Sequence, residues 1–142
     1  MSRTLAIDYG LRRVGIAVTD SLKIIASPLT TVAPDELVTF LSDYMKKETV
    51  DQMVVGYPLK EDGSPTDLTS SVDELIVTLR KSFPKIALYK QDERYTSRLA
   101  KRSMLESGSN KKSRRTKEHI DQISATLILQ SFMEGKNKKI MQ

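Results

Sequence analysis

Among the 18 acidic residues of this 142-residue chain, three stand where chemistry is expected in an alternating strand and helix pattern. Asp8 closes the first apolar run, Glu93 follows the fifth strand-like run, and Asp121 falls in the first turn of the last apolar-striped helix. Ligands of α/β sheets gather outside the carboxyl ends of strands, so Asp8 and Glu93 are placed to converge if their strands are near neighbours. Three carboxylates brought together repel unless they are protonated or share divalent cations. An oxygen-only donor set favours Mg²⁺ or Mn²⁺. Such ions suit phosphodiester hydrolysis, where they activate water and stabilise the leaving oxygen. Strand-end acids also serve turns and solubility, and spacing alone leaves other triples open.

The elements that must position these acids follow from periodicity. Thr4 to Asp8 and Val14 to Thr19 are strands joined by YGLRR, whose Gly10 suits the tight turn of an antiparallel hairpin. Ile24 to Val32 is a third strand, with Pro28 pointing to an edge position or a bulge. Pro34-Asp35-Glu36 opens a helix striped by Leu37, Phe40, Leu41, Tyr44 and Met45. Gln52 to Gly56 is a buried strand, followed by the loop YPLKEDGSP, in which Asp62-Gly63 suits a turn. A second helix runs from Leu68 to Ser82 and a fifth strand from Ile86 to Lys90. Thr96-Ser97 caps a third helix that Gly108 ends, and a last helix runs from Glu118 to Met133. The order βββαβαβαα predicts one α/β layered domain over residues 1–142, with a frayed tail at 135–142.

Composition excludes several chemistries. With no cysteine and one histidine, His119, disulfide frameworks, thiolate zinc sites and multi-histidine zinc sites are ruled out. No run reaches the ~20 apolar residues of a membrane span and the N-terminus lacks the h-region of a signal peptide, which predicts a cytoplasmic protein without a membrane partner. No phosphate loop is present, and the glycines of DYGLRRVG do not fit the dinucleotide fingerprint. The net charge of +5 is not spread evenly: residues 98–117 hold 8 basic and 1 acidic side chains. The second half of that stretch, SGSNKKSRRTK, has no apolar residue and predicts a mobile basic loop over 108–117. Such a loop suits a polyanion, because neutralised phosphates release condensed counterions. His119, beside it, suits a cap or surface position, or assistance to a proton transfer alongside Lys117.

Four pieces of the sequence carry a family pattern: IDYGLRRVGIAVTD (7–20), VVGYPLKEDGS (54–64), DERYTSRLA (92–100) and IDQISATLILQSF (120–132). In order and spacing they make the chain resemble the YqgF family of pre-16S rRNA nucleases, also described as Holliday-junction-resolvase-like. The resemblance implies an RNase H-like fold, with a five-stranded mixed sheet flanked by helices and the first strand between the second and the fourth. It implies that Asp8, Glu93 and Asp121 are the catalytic, metal-binding acids, with Asp8 between two ions, and that cleavage leaves a 5′-phosphate and a 3′-hydroxyl. Asp92 neighbours Glu93 and points the other way if the strand continues; the family pattern favours Glu93. Glu118 stands where the family usually has Gly, and Ser124 where it usually has Ala.

The nucleic-acid contacts expected around those acids are Arg12, Arg13 and Arg94, with Lys101, Arg102, Lys111, Lys112, Arg114, Arg115 and Lys117 tracking the backbone. Arg12 and Arg13 equally suit a solvated turn. The resemblance implies precursor rRNA as substrate, in 5′-end processing for ribosome biogenesis and in company with ribosomal particles. Branched DNA cut by a resolvase-like endonuclease is the alternative, and a non-catalytic RNA-binding assembly module is another. A sugar or protein kinase of the actin-like class needs two lobes, and this chain supplies one. No apolar helix face stands out for dimerisation, which predicts a monomer or a weak dimer.

Overall fold

The computed structural model describes residues 1–92, 113–135 and 138–139, with 113–121 and 138–139 described by their backbone. The third helix expected after Thr96 lies outside the described residues. The five expected strands all form: β1 (Arg3–Tyr9), β2 (Val14–Thr19), β3 (Ala26–Val32), β4 (Val50–Tyr57) and β5 (Ala87–Asp92). Between them come a 3₁₀ turn at Pro34–Glu36, α1 (Leu37–Lys47) and α2 (Thr69–Ser82), and after them α3 (Ser113–Met133) and β6 (Lys138–Lys139). The strand order is β3-β2-β1-β4-β5-β6. β1 pairs antiparallel with β2 and parallel with β4, so the sheet is mixed and β1 is central, as the family resemblance implies.

Local chemistry explains most boundaries. The hairpin turn needs Gly10 because a Cβ there would meet the Arg13 carbonyl oxygen at 2.7 Å. β3 is the edge strand, where Pro28 is tolerated because one row of its backbone groups has no ladder partner, and the ladder to β2 shifts register between Ile16 and Ala17. β3 starts at Ala26 rather than Ile24, because the Asp20 carboxylate accepts the Ile24 and Ile25 N–H groups at 2.8 Å each and holds them in the turn. Lys23 completes that turn with φ of 58°.

Three expectations need correction. β5 continues through Gln91 and Asp92, because Gly56 and Tyr57 of β4 extend the parallel ladder beyond Lys90. The last helix starts at Ser113, not Glu118, so Arg114, Arg115 and Lys117 are helical rather than part of a loop over 108–117. No Gly or Pro interrupts 113–133, and apolar content is not required to continue a helix that is anchored further along. The tail expected to fray at 135–142 instead supplies β6, whose Lys139 and Lys138 pair with Tyr89 and Lys90. This sixth strand gives partners to ladder groups on the outer edge of β5 that would otherwise have none.

The sheet separates two apolar layers. Leu5, Ile7, Val14, Ile16, Met53, Val55 and Leu88 face α1 and α2, which contribute Leu37, Leu41, Val72, Leu75, Ile76 and Leu79. On the other face, Ala6, Ala17 and Val54 meet Ala125, Ile128 and Leu129 of α3, with Tyr89 stacked edge-on against Phe132 at 4.8 Å between centroids.

Candidate nuclease site

Strand alternation assigns Asp8 to a face. Ala6 packs under α3, so Asp8, two residues on, lies on the α3 face, while Ile7 lies on the other. Asp8 is half-buried and one residue from the end of β1. Its β2 partner is Gly15, whose β3 partner is Thr31. On the other side Gly56 follows Val55, the partner of Ile7, and Gly56 pairs with Gln91 of β5. One row therefore crosses the sheet on the α3 face: Thr31, Gly15, Asp8, Gly56, Gln91. Asp8 is flanked by two residues without side chains, and both glycines are buried.

The register of α3 over this row is set by a hydrogen bond. Gln122 donates from Nε2 to Thr31 Oγ1 at 3.1 Å, which brings that turn of α3 to the level of the Asp8 row. Asp121 precedes Gln122 and stands four residues before Ala125 and seven before Ile128, two residues that pack against the sheet. In sequence along α3, Arg114 and Lys117 precede Asp121 by two turns and one turn. Ala26, at the start of β3, and Met133, the last residue of α3, line one cleft, so α3 runs antiparallel to β1 and its first turns lie toward the carboxyl end of β1.

Asp92 is described and falls on the opposite face. It follows the alternation of Leu88, whose side chain packs with α1 and α2, so it does not share a face with Asp8. The same face carries Tyr57, which donates to Asp73 Oδ1 at 2.9 Å, with Lys90 Nζ 4.3 Å from its ring centroid. Burial, and then the hydrogen bond and charge of Asp73, raise the Tyr57 phenol above its ordinary pKa. Glu93 itself, with Arg94, Lys101, Arg102, Lys111 and Lys112, lies outside the described residues. Arg12 is exposed and Arg13 half-buried in the β1–β2 turn, where they line a cleft with Gly10, Leu11, Asp67 and Leu68.

Among the described residues no three His, Cys, Asp or Glu side chains cluster as a metal site. The described part of the row supplies one carboxylate, Asp8, whose oxygens are donors of the kind a hard cation takes, and its neighbours in the row, Gly15 and Gly56, add no side chain of their own. Two polar atoms on this face were not singled out by sequence. Gln91 Oε1 and Ser124 Oγ are buried and have no hydrogen-bond partner among the described residues. An unpaired buried amide oxygen costs about 1–3 kcal/mol. Gln91 lay beyond the expected end of its strand, and Ser124 stood out only as a departure from a usual Ala.

A family profile described as "RuvX: Holliday junction resolvase" matches residues 2–135. The chain belongs to this family. A protein of Amoebophilus asiaticus named "Putative pre-16S rRNA nuclease" is 52% identical over 135 residues, covering 95% of this chain and 96% of its own. A relative of the same name from Christiangramia forsetii is 47% identical over 133 residues, covering 94% and 98%. In architecture the chain is similar to the Thermus thermophilus RuvC structure, with a TM-score of 0.56 at 11% identity over 97% of this chain and 99% of that one. The family and the fold are those that the four sequence pieces imply, an RNase H-like α/β domain. No helix among the described residues is long and apolar enough to cross a membrane.

Proposed function

We propose that this family member is a metal-dependent nuclease that hydrolyses phosphodiester bonds in the 5′-end processing of pre-16S rRNA. The observation that carries the reading is the Asp8 row, with a strand-end carboxylate on the α3 face at the level of the helix turn that bears Asp121. Asp8, Glu93 and Asp121 would hold Mg²⁺ or Mn²⁺, the hard cations that oxygen donors select. Bound there, the cations would supply a water activated for in-line attack and a counter-charge for the leaving oxygen. The chain's own part in this reading would be to bring these acids together and to offset phosphate charge. Arg12, Arg13 and Arg94 suit the last role near the acids. Lys101, Arg102, Lys111, Lys112, Arg114, Arg115 and Lys117 suit backbone contacts further out.

A labelled precursor rRNA 5′ leader and a four-way DNA junction, incubated side by side with Mg²⁺ or Mn²⁺, test the proposal. Leader trimming that disappears in an Asp8→Asn, Glu93→Gln double variant is expected, with the junction left intact. Paired cuts in the junction would move the activity to branched DNA. Salt-sensitive binding with no cleavage of either substrate would sink the enzyme reading.

A further inference from the structure

The turn between β1 and β2 forms one wall of an open cleft, and the residues that lead into α2 form the other. Gly10, Leu11, Arg12 and Arg13 line it from the first side and Asp67 and Leu68 from the second, around a volume of about 360 Å³, a size typical of ligand sites. Both walls are braced. The Gly10 turn is closed so tightly that a Cβ there would meet the Arg13 carbonyl oxygen at 2.7 Å. Across the cleft, Thr69 Oγ1 donates to the Pro58 carbonyl at 2.7 Å and accepts the Thr66 N–H at 2.8 Å, and the Leu68 N–H bonds to Thr66 Oγ1 at 3.2 Å. Leu68 packs in part against the α1 and α2 core. Leu11 is 71% exposed, an apolar side chain that the core does not use. The cleft begins at Gly10, two residues beyond Asp8 and about 7 Å along the chain, so it shares the carboxyl end of β1 with the proposed site.

The lining suits a base better than a phosphate. Leu11 and Leu68 offer apolar surface, and Asp67 brings a carboxylate, which repels a phosphate but accepts N–H groups from a base edge. Extruded bases are held in this way, between apolar side chains and with hydrogen bonds to their Watson–Crick edge. Arg12 and Arg13 supply the positive charge that the phosphates flanking such a base call for. Resting on the nuclease reading above, we propose that this cleft receives one unstacked nucleobase of the substrate strand beside the cleaved bond, packed against Leu11 with its N–H groups taken by Asp67. Seating that base fixes which phosphate reaches the acids.

The test uses the full chain and a series of leader RNAs in which each nucleotide flanking the cleaved bond is made abasic in turn. The wild type is expected to lose about tenfold in kcat/KM at one position, the worth of packing one base. Leu11→Ser should cut the intact leader more slowly by about the same factor and lose nothing further when that position is abasic. Leu11→Met should keep the wild-type profile, and Asp67→Asn should change which base is preferred at that position. The thermal midpoints of both Leu11 variants should stay level, because the side chain is exposed. A flat profile in the wild type, a penalty that survives Leu11→Ser, or an unaltered base preference in Asp67→Asn would overturn the inference and leave the nuclease reading standing. Equal slowing of Leu11→Ser on every leader with a large fall in Tm would overturn it too, making Leu11 a structural residue of the turn. Failure of the wild type to cut any RNA removes the nuclease reading, and this inference with it.

Discussion

On the face covered by α1 and α2 the sheet presents Leu5, Ile7, Val14, Ile16, Met53, Val55 and Leu88, whereas under α3 it presents Ala6, Ala17 and Val54, and then Asp8, Gly15 and Gln91. The first layer is filled by large aliphatic side chains that meet their like from both helices, and burial of that kind stabilises folds at roughly 25 cal/mol per Å². The second layer is thinner. Its small residues let α3 approach the sheet, and its row at the carboxyl end of β1 carries Asp8 and Gln91, whose Oε1 has no hydrogen-bond partner among the described residues. The contrast teaches that one sheet can separate its duties by face. One side holds the domain together, and the other carries polar groups at the end where chemistry is proposed.

The largest effect should come from removing a carboxylate charge from one face rather than the other. Asp8→Asn is expected to lower cleavage by at least about 10²-fold, since even groups that merely orient metal ligands cost 10–100-fold when lost. Asp92→Asn, one strand-end acid on the opposite face, should stay near the wild-type rate. Single-turnover cleavage of the leader with both variants reads the difference directly, and equal losses would erase the distinction between faces.

Truncation of the apolar face should do the reverse. Leu41, fully buried between α1 and the sheet, is expected to cost about 2–5 kcal/mol of stability as Leu41→Ala. Cleavage per folded molecule should hardly change, because the site lies across the sheet. Urea unfolding paired with rates below the transition separates the two quantities.

A smaller effect is expected where the layers meet. Ala125 is buried against the Ala6 and Ala17 side of the sheet, so Ala125→Leu should overpack it by about 1–3 kcal/mol. Here stability and cleavage should fall together, since the same helix carries Asp121. A variant that loses stability but keeps its full rate would show that the level of α3 is not what sets the site.

The smallest effect lies outside both faces, at the β2–β3 turn. The Asp20 carboxyl is held below its ordinary pKa, first by the Ile25 N–H and then by that of Ile24, against an opposing desolvation. The folded state therefore favours the ionised form. Its contribution is present above the unfolded pKa of about 3.9 and is lost as pH falls through the lower folded value. Asp20→Asn should flatten the acid limb of a stability–pH curve below about pH 4 and leave cleavage at neutral pH alone.

Much of this architecture was legible in residue order. The apolar runs TLAID and VGIAVT marked two strands, Gly10 marked their turn, Pro28 marked the edge, and the stripes of Leu37–Leu41 and Val72–Leu79 marked the helices that close the larger core. Those signals are local, written in the 2.0 and 3.6 periods of the chain. The family pattern added the three acids and a choice between Asp92 and Glu93. The structure supplied a physical ground for part of that choice, because only a ladder carried through Gln91 and Asp92 fixes which face Asp92 occupies.

What sequence alone could not decide was pairing at a distance. Nothing local says that Thr31, Gly15, Asp8, Gly56 and Gln91 form one row, or that Gln122 reaches across 91 residues to Thr31 and brings α3 to its level. Nor does it say that two lysines of a polar tail add a sixth strand to β5. Register between strands and the height of a helix over a sheet are settled by packing and by backbone groups that must find partners. These energies exist only once the chain has closed on itself. Residue order settles which segments become strands and helices and which residue types could do chemistry; closure of the fold settles which of those residues stand side by side.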